Sequence, residues 1–338
     1  MFKGKNILVT GGTGSIGSEI VRQLLQYNPN VIRIYSRDES KQFELKQELN
    51  NFKNVRFLIG DVRDRTRLFF ACENIDYIFH AAALKHVPSC EYNPFEAVKT
   101  NIIGVQNIID ASIRCNVKKL IGISTDKVVN PTNTMGATKL LSEKLFQAGE
   151  LYKGYSPITF SCVRFGNVMG SRGSVIPLFK KQIEGNMPIT ITSDKMTRFM
   201  MTIPQAVKLV IDAMKYSTGG EIFVLKMPVL NIKEMAEVLL QDYNLTRHNK
   251  YSNKIINIGI RPGEKEFEEL LTISESEHAF ENESLYIIPS QLKKDWRIPD
   301  GFVKAAKQGY SSENSIRLTK DEIYKLLLNQ KLLFSSIK

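Results

Sequence analysis

Two short stretches hold the side chains best able to move protons. Ser124-Thr125-Asp126-Lys127 sets a carboxyl beside an amine, and Met135-Gly136-Ala137-Thr138-Lys139 follows within the same sixteen residues. An adjacent acid and base suit a reaction that removes one proton while supplying another, provided Asp126 is protonated and Lys127 neutral for part of the cycle. Lys139 stands four residues after Met135, on the same helix face. Met135 sits where a tyrosine would be expected and has no proton to transfer. Taken alone, Asp126-Lys127 also reads as an exposed surface pair, so its surroundings decide.

A second stretch, Thr10-Gly11-Gly12-Thr13-Gly14-Ser15-Ile16-Gly17, has the composition of a phosphate cradle. Glycines three apart permit positive φ and close backbone approach, and a following helix offers N–H groups and partial positive charge to a pyrophosphate. The spacing is informative because an apolar strand precedes it and a second strand lies a βαβ unit further on. That second strand ends Tyr35-Ser36-Arg37-Asp38. An acidic residue alone there favours NAD; Arg37 first, with Lys41 one turn on, favours the 2′-phosphate of NADP. Asp61, in Gly60-Asp61-Val62, is placed to hold an adenine amino group or to cap a helix.

The elements that carry these residues alternate. Strand-like runs fall at 6–10, 31–35, 55–59, 77–81, 120–124 and 158–164, with helical patterns after the first, over 94–112 and over 135–147. Such alternation predicts an α/β protein, a Rossmann-type doubly wound parallel sheet with a smaller C-terminal α/β substrate domain. The expected division is a cofactor domain over 1–168, with 200–226 returning to it, and a substrate-binding region over 169–199 and 227–338. Thr319-Lys320-Asp321-Glu322 has the form of a capping box opening a last helix through Leu328.

Composition narrows the classes. The 338 residues predict about two domains. Hydrophobic residues make up 43%, as in globular proteins, and no run approaches the ~18 apolar residues of a membrane span. The N-terminus has no signal-peptide pattern, so a cytoplasmic location is expected. Cys72, Cys90, Cys115 and Cys162 have no ligand-like spacing, so reduced thiols and no metal are expected. The net charge of +11 comes from scattered basic residues, without a Lys/Arg block or an RNA-binding aromatic signature. That argues against nucleic acid and for a phosphorylated metabolite, beside an ordinary basic surface.

The glycine turn and the Ser124–Lys127 stretch resemble the extended short-chain dehydrogenase/reductase family. A closer set of matches resembles its UDP-N-acetylglucosamine 4,6-dehydratases: His80-Ala81-Ala82-Ala83-Leu84-Lys85-His86-Val87-Pro88, Arg164-Phe165-Gly166-Asn167-Val168, Gly170-Ser171-Arg172-Gly173-Ser174-Val175-Ile176-Pro177, Met196-Thr197-Arg198-Phe199 and Arg261-Pro262-Gly263-Glu264-Lys265. They run in order over roughly residues 4–270, and more weakly to the last helix. The soluble members act on flagellar and capsule sugars.

The resemblance implies an internal redox cycle. Hydride leaves C4 of the sugar for a tightly bound NADP⁺, the C4 ketone acidifies C5, water is lost across C5 and C6, and hydride returns to C6. It implies that Asp126 is the acid at C6, Lys127 the base at C5, and Lys139 the holder of the nicotinamide ribose. Met135 then marks a subgroup that removes the C4 proton by another route, with Thr125 as a relay to Asp126 or Lys127. The remaining cofactor contacts it implies are Ala81, Ala82, Thr100 beside Asn101, and Val168. Substrate contacts would come from Lys85, His86, Thr125, Asn167, Arg172, Val175, Pro177, Arg198, Arg261 and Glu264, the arginines suiting a diphosphate. The expected partner is a UDP-sugar, the expected assembly a dimer or hexamer. Two alternatives stay open: a UDP-hexose 4-epimerase, which needs no proton chemistry at C5 and C6, and a non-catalytic NADP-binding sensor, for which Met135 speaks.

Overall fold

The computed structural model describes residues 1–171, 173–247, 254–293 and 296–336. Two compact units divide the chain. The first comprises Met1–Phe165, Pro204–Lys226 and Leu271–Gly309; the second comprises Gly166–Ile203, Met227–Leu270 and Tyr310–Lys338.

The first unit is built on β1 (Asn6–Thr10), β2 (Val31–Ser36), β3 (Val55–Ile59), β4 (Tyr77–His80), β5 (Lys119–Ile123) and β6 (Thr159–Arg164). They lie in the order β3-β2-β1-β4-β5-β6, every neighbouring pair parallel. This is the Rossmann-type doubly wound arrangement, and it follows from strands apolar on both faces. Ile7, Leu8, Val9, Ile78, Phe79, Leu120 and Ile121 are wholly buried. Three helices follow the first three strands: α1 (Ser15–Leu25), α2 (Glu39–Glu48) and α3 (Arg65–Cys72). Because the strands are parallel, all six carboxyl ends lie along one edge. The direction of winding reverses between β1 and β4, where ligands bind in open sheets of this kind.

Ile222–Leu225, within the 200–226 segment expected to return here, adds parallel to β6. The sheet is larger than the sequence reading predicts: Leu285–Ile288, Phe280–Glu281 and Val303–Lys304 extend it antiparallel. Residues 271–309, expected in the substrate region, therefore belong to the first unit. Their strands are two to four residues long, too short to show periodicity, and main-chain pairing with Ile222–Leu225 places them. The helix expected over 94–112 is three pieces: Pro94–Val98, a widened π-turn at Lys99–Ile103, and Gly104–Arg114. Such turns recur at functional sites.

The second unit holds a small sheet in which Asn167–Val168 runs parallel to Thr197–Met201 and Val229–Asn231 antiparallel to it. Ile255–Asn257 pairs with Ile189–Ile191. Its core includes Phe179, Ile183, Met196, Met235, Leu239 and Leu327. The last helix spans Lys320–Asn329, and Thr319 and Glu322 form the predicted capping box at its start. Among the described residues no helix is long and apolar enough to cross a membrane.

Candidate active site

The turn after β1 is shaped by what its glycines lack. Gly11 has φ +65°, and a Cβ there would meet the Ala81 carbonyl and the Ala82 nitrogen at 2.7–2.8 Å, so the turn lies directly on the end of β4. A Cβ on Gly17 would fall 2.3 Å from the Gly11 carbonyl oxygen, so the first turn of α1 is pressed against the loop. Gly14 is the N-cap of α1 and no side chain caps the helix there. By contrast, Asp38 caps α2 and Asp64 caps α3. A helix start shaped this way and without a side-chain cap fits an anionic pyrophosphate, and so a dinucleotide. Ser15 and Ile16 begin α1, and the buried Thr13 hydroxyl donates to Ser36 Oγ at 3.1 Å, tying the loop to the end of β2.

The ends of β2 and β3 carry the candidate ribose contacts. Asp38 accepts from the Lys41 N–H at 3.0 Å and pairs with the Lys41 ammonium, so its carboxylate is committed to α2. Arg37 reaches Asp61 Oδ2 at 3.6 Å and is 58% exposed. Burial opposes ionisation of Asp61, but Arg63, donating from its main chain at 3.0 Å and its guanidinium at 2.7 Å, holds the carboxyl below its ordinary value. Val62 is buried, and its Cγ2 would lie 2.7 Å from a Cβ on Gly104.

The loop after β4 is fixed by Asn101. From within the π-turn, Asn101 accepts the Leu84 N–H at 2.8 Å and donates to the Leu84 carbonyl at 3.0 Å; its neighbour Thr100 is buried. Lys85 and His86 are exposed, His86 immediately preceding the short helix Val87–Tyr92. His80, at the end of β4, is buried; its Nδ1 meets Thr10 Oγ1 at 2.8 Å and its Nε2 has no hydrogen-bond partner. Burial, with Lys139 nearby, pushes this imidazole down to about 3, so it is neutral.

The turn after β5 gathers the acid–base candidates. Thr125 Oγ1 donates to Asp126 Oδ1 at 2.7 Å, and Lys127 Nζ donates to the same oxygen at 2.9 Å. Asp126 is 1% exposed, and its Oδ2 is buried with no hydrogen-bond partner. One oxygen carries both donors, and the other is left for a proton or a substrate hydroxyl. The main chain is anchored as well: Asp126 N–H donates to the Phe165 carbonyl at 3.2 Å. The helix Thr134–Tyr152 begins against this turn, where a Cβ on Gly136 would lie 2.2 Å from the Lys127 carbonyl oxygen. Lys139 is buried and donates to the Ile123 carbonyl at 2.5 Å. Burial lowers its pKa, while Cys162 and Glu143 act the other way. Met135 packs with Cys90 and Ala97, against Leu84 and Val87. Its place is apolar packing beneath the 84–97 segment.

The remaining candidates lie in the second unit. Asn167 and Val168 form the short strand beside Met200 and Met201. Val175 opens the helix Val175–Glu184 and Pro177 is exposed in its first turn, where a missing N–H costs nothing. Arg172 lies outside the described residues. Arg261 is exposed; its N–H donates to Glu264 Oε2 at 3.2 Å, and Glu264 N–H returns to the Arg261 carbonyl at 3.0 Å, closing a tight turn. Arg198 is buried and donates to the carbonyls of Thr197 (2.8 Å), Lys265 (2.8 Å) and Glu266 (3.1 Å). The sequence reading sends Arg198 to a diphosphate; here its Nη1 and Nη2 shape the loop after Arg261.

Several residues near these sites act in ways a reading by motif does not show. Arg63 and Glu143 lie outside the matched motifs, while Asn101, His80 and Arg164 lie in or beside them. Asn101 and His80 hold the strand ends, and Glu143 and Arg164 form a buried ion pair at 2.8 Å. The Glu at i+4 from Lys139 was the available signal for Glu143; its partner is 21 residues away. Among the described residues no group of three or more His, Cys, Asp or Glu is arranged to hold a metal. The four cysteines are free thiols, Cys115 half-buried and the others buried.

The profile of a family described as polysaccharide biosynthesis protein matches residues 7–290. The chain is 45% identical over 332 residues to UDP-N-acetylglucosamine 4,6-dehydratase (inverting) of Campylobacter jejuni, covering 93% of this chain and 94% of that protein. It is 42% identical over 338 residues to UDP-glucose 4-epimerase of Rickettsia bellii, covering 97% of each. The X-ray structure of Pen from Bacillus thuringiensis superposes with a TM-score of 0.91 at 50% identity, over 98% of this chain and 100% of that one.

Proposed function

The chain belongs to the polysaccharide biosynthesis protein family, and on that premise we propose that it is a C5-inverting UDP-N-acetylglucosamine 4,6-dehydratase that uses NADP. The observation that carries the reading is Asp126: buried, loaded by Thr125 and Lys127 on Oδ1, and bare on Oδ2. The glycine turn and the start of α1 would hold the pyrophosphate, and Lys139 the nicotinamide ribose. Bound there, the dinucleotide supplies reversible hydride acceptance between C4 and C6 of the sugar.

The chain's own residues move the protons. Lys127, neutral at that point, takes the C5 proton, and Asp126, protonated earlier in the cycle by the C4 hydroxyl proton, gives that proton to the C6 hydroxyl, which leaves as water. When hydride reaches C6, Lys127 gives a proton back to C5, exchanged with solvent in between, so C5 regains a proton for the one it lost. Met135 is packed among apolar side chains, so the C4 hydroxyl proton passes through Thr125 to the Asp126 carboxylate, to which the Thr125 hydroxyl already donates, and becomes the proton that Asp126 gives at C6. NADP is favoured over NAD because the Asp38 carboxylate is engaged by Lys41, while Arg37 is exposed and only loosely paired. The resemblance alone carries the rest: a cofactor retained through turnover, a homo-oligomer and a cytoplasmic location.

The second reading, a 4-epimerase, has the Rickettsia bellii relative in its favour. It leaves Asp126 and Lys127 no work at C5 and C6. One incubation separates the two. Purified protein with UDP-N-acetylglucosamine in D₂O, without added cofactor, is followed by mass and NMR. Loss of one water with deuterium at C5 is the expected result, and the ring couplings report inversion. Unchanged mass with a new C4 epimer would establish the epimerase instead.

A further inference from the structure

A side-chain clamp, buried except for one half-buried carboxylate, lies behind the acid–base turn. Ser124 Oγ donates to Glu143 Oε1 at 2.5 Å. Arg164 grips the same carboxylate through Nε at 2.9 Å and Nη2 at 2.8 Å, and turns its other edge to Glu275 at 2.8 and 3.0 Å. Ser124 is 6% exposed, Glu143 1% and Arg164 2%. Glu275 is itself fixed, accepting from the Thr272 N–H at 3.0 Å in a capping box. Buried ion pairs give little net stability, because desolvation offsets their attraction. Their better-attested effect is to specify one arrangement, and each group here adjoins the machinery. Ser124 directly precedes Thr125 and Asp126. Arg164 directly precedes Phe165, whose carbonyl receives the Asp126 N–H. Glu143 lies one helical turn beyond Lys139.

We propose that Glu143, held by Arg164, is a positioning residue that acts through the Ser124 hydroxyl to fix the turn carrying Thr125 and Asp126. The carboxylate accepts from two elements at once, so the end of β5 is referenced to β6 and to the helix bearing Lys139. Thr125 and Asp126 then keep one geometry instead of sampling several.

The kinetic arm of the test rests on the dehydratase reading; the exchange arm does not. Glu143→Ala leaves a buried guanidinium half-paired and is expected to impair folding, so Ser124→Ala, which removes one hydroxyl, is decisive. Ser124→Ala is expected to lower kcat for UDP-N-acetylglucosamine by about 100-fold, as small misplacements of reacting groups do. KM should stay within about twofold, and Ser124→Thr should recover most of the rate. Hydrogen exchange at the Asp126 amide should quicken in Ser124→Ala and Glu143→Gln, with exchange in α1 unchanged. Unchanged exchange at Asp126 in both variants overturns the inference, as does a loss of melting temperature with normal kcat per folded molecule. A wild-type protein that leaves UDP-N-acetylglucosamine untouched, while the Asp126 amide responds as expected, removes the dehydratase reading and leaves the clamp standing.

Discussion

The turn after β1 and the turn after β5 leave the same edge of one parallel sheet, yet they are held in opposite ways. The first is defined by absence. At Gly11 and Gly17 a single Cβ would collide with main-chain atoms, and no side chain caps the helix that follows. The second is defined by side chains in two sets, Thr125 and Lys127 on Asp126, and Ser124 and Arg164 on Glu143, with hydrogen bonds of 2.5–2.9 Å. The difference matches the tasks proposed for them. A pyrophosphate needs main-chain N–H groups at close range, which any side chain would obstruct. Proton transfer needs specific groups at specific atoms, which only a side-chain network supplies.

This contrast predicts where each turn breaks. The largest effect is expected in the second. Asp126→Asn cannot supply the C6 proton and should lower kcat by about 10³-fold with the fold intact, the middle of the range for general acid catalysis. The measurement is product formation by mass against circular dichroism, and near-normal turnover would remove Asp126 from its role. Next comes the glycine turn. Gly17→Ala places a methyl 2.3 Å from the Gly11 carbonyl. It should cost about 1–3 kcal/mol of stability, as overpacking does, and should abolish copurification of the dinucleotide. Retained cofactor at wild-type levels would show that the turn tolerates a side chain.

His80 supports both turns from β4, bonded to Thr10 of β1. It is neutral and buried in the fold at a pKa of about 3, against 6.5 when exposed. The unfolded chain therefore binds the extra proton between those values, and stability falls as pH drops from about 6.5 towards 3. His80→Asn keeps a partner for Thr10 and should flatten that acid limb by about 1.4 kcal/mol per pH unit in urea titrations. An unchanged slope would mean that the imidazole charges in place. The smallest effect is expected at the exposed rim. Arg37→Ala should weaken NADP binding by about three- to tenfold while leaving NAD nearly unaffected, as suits an exposed charge. Equal losses for both dinucleotides would contradict the 2′-phosphate assignment.

The two turns also differ in how far the sequence discloses them. The Gly11–Gly17 spacing, Asp126-Lys127 and Lys139 were legible because each is a local pattern, decided within a strand, a turn and the first helical positions after it. The alternation that yields β1 to β6 was legible for the same reason. Glu143, Arg164 and Glu275 were not, since Arg164 meets its partners 21 and 111 residues away. Arg198 shows the same limit from the other side. Its type fits a diphosphate, and only the folded chain shows its buried donors on the carbonyls of residues 265 and 266. Met135 read as a missing proton carrier, and only packing against Cys90 and Ala97 shows what the position does instead.

By itself the sequence disclosed the parallel sheet and the glycine turn after β1, because periodicity and spacing act over a few residues of backbone. It set Asp126, Lys127 and Lys139 close together, and the family resemblance supplied the roles proposed for them. Tertiary structure alone decided that both donors load one oxygen of Asp126, that His80 stays neutral, and that residues 271–309 complete the first sheet. Those outcomes depend on burial and on partners far apart in the chain, and desolvation and hydrogen-bond geometry are set only when distant segments meet.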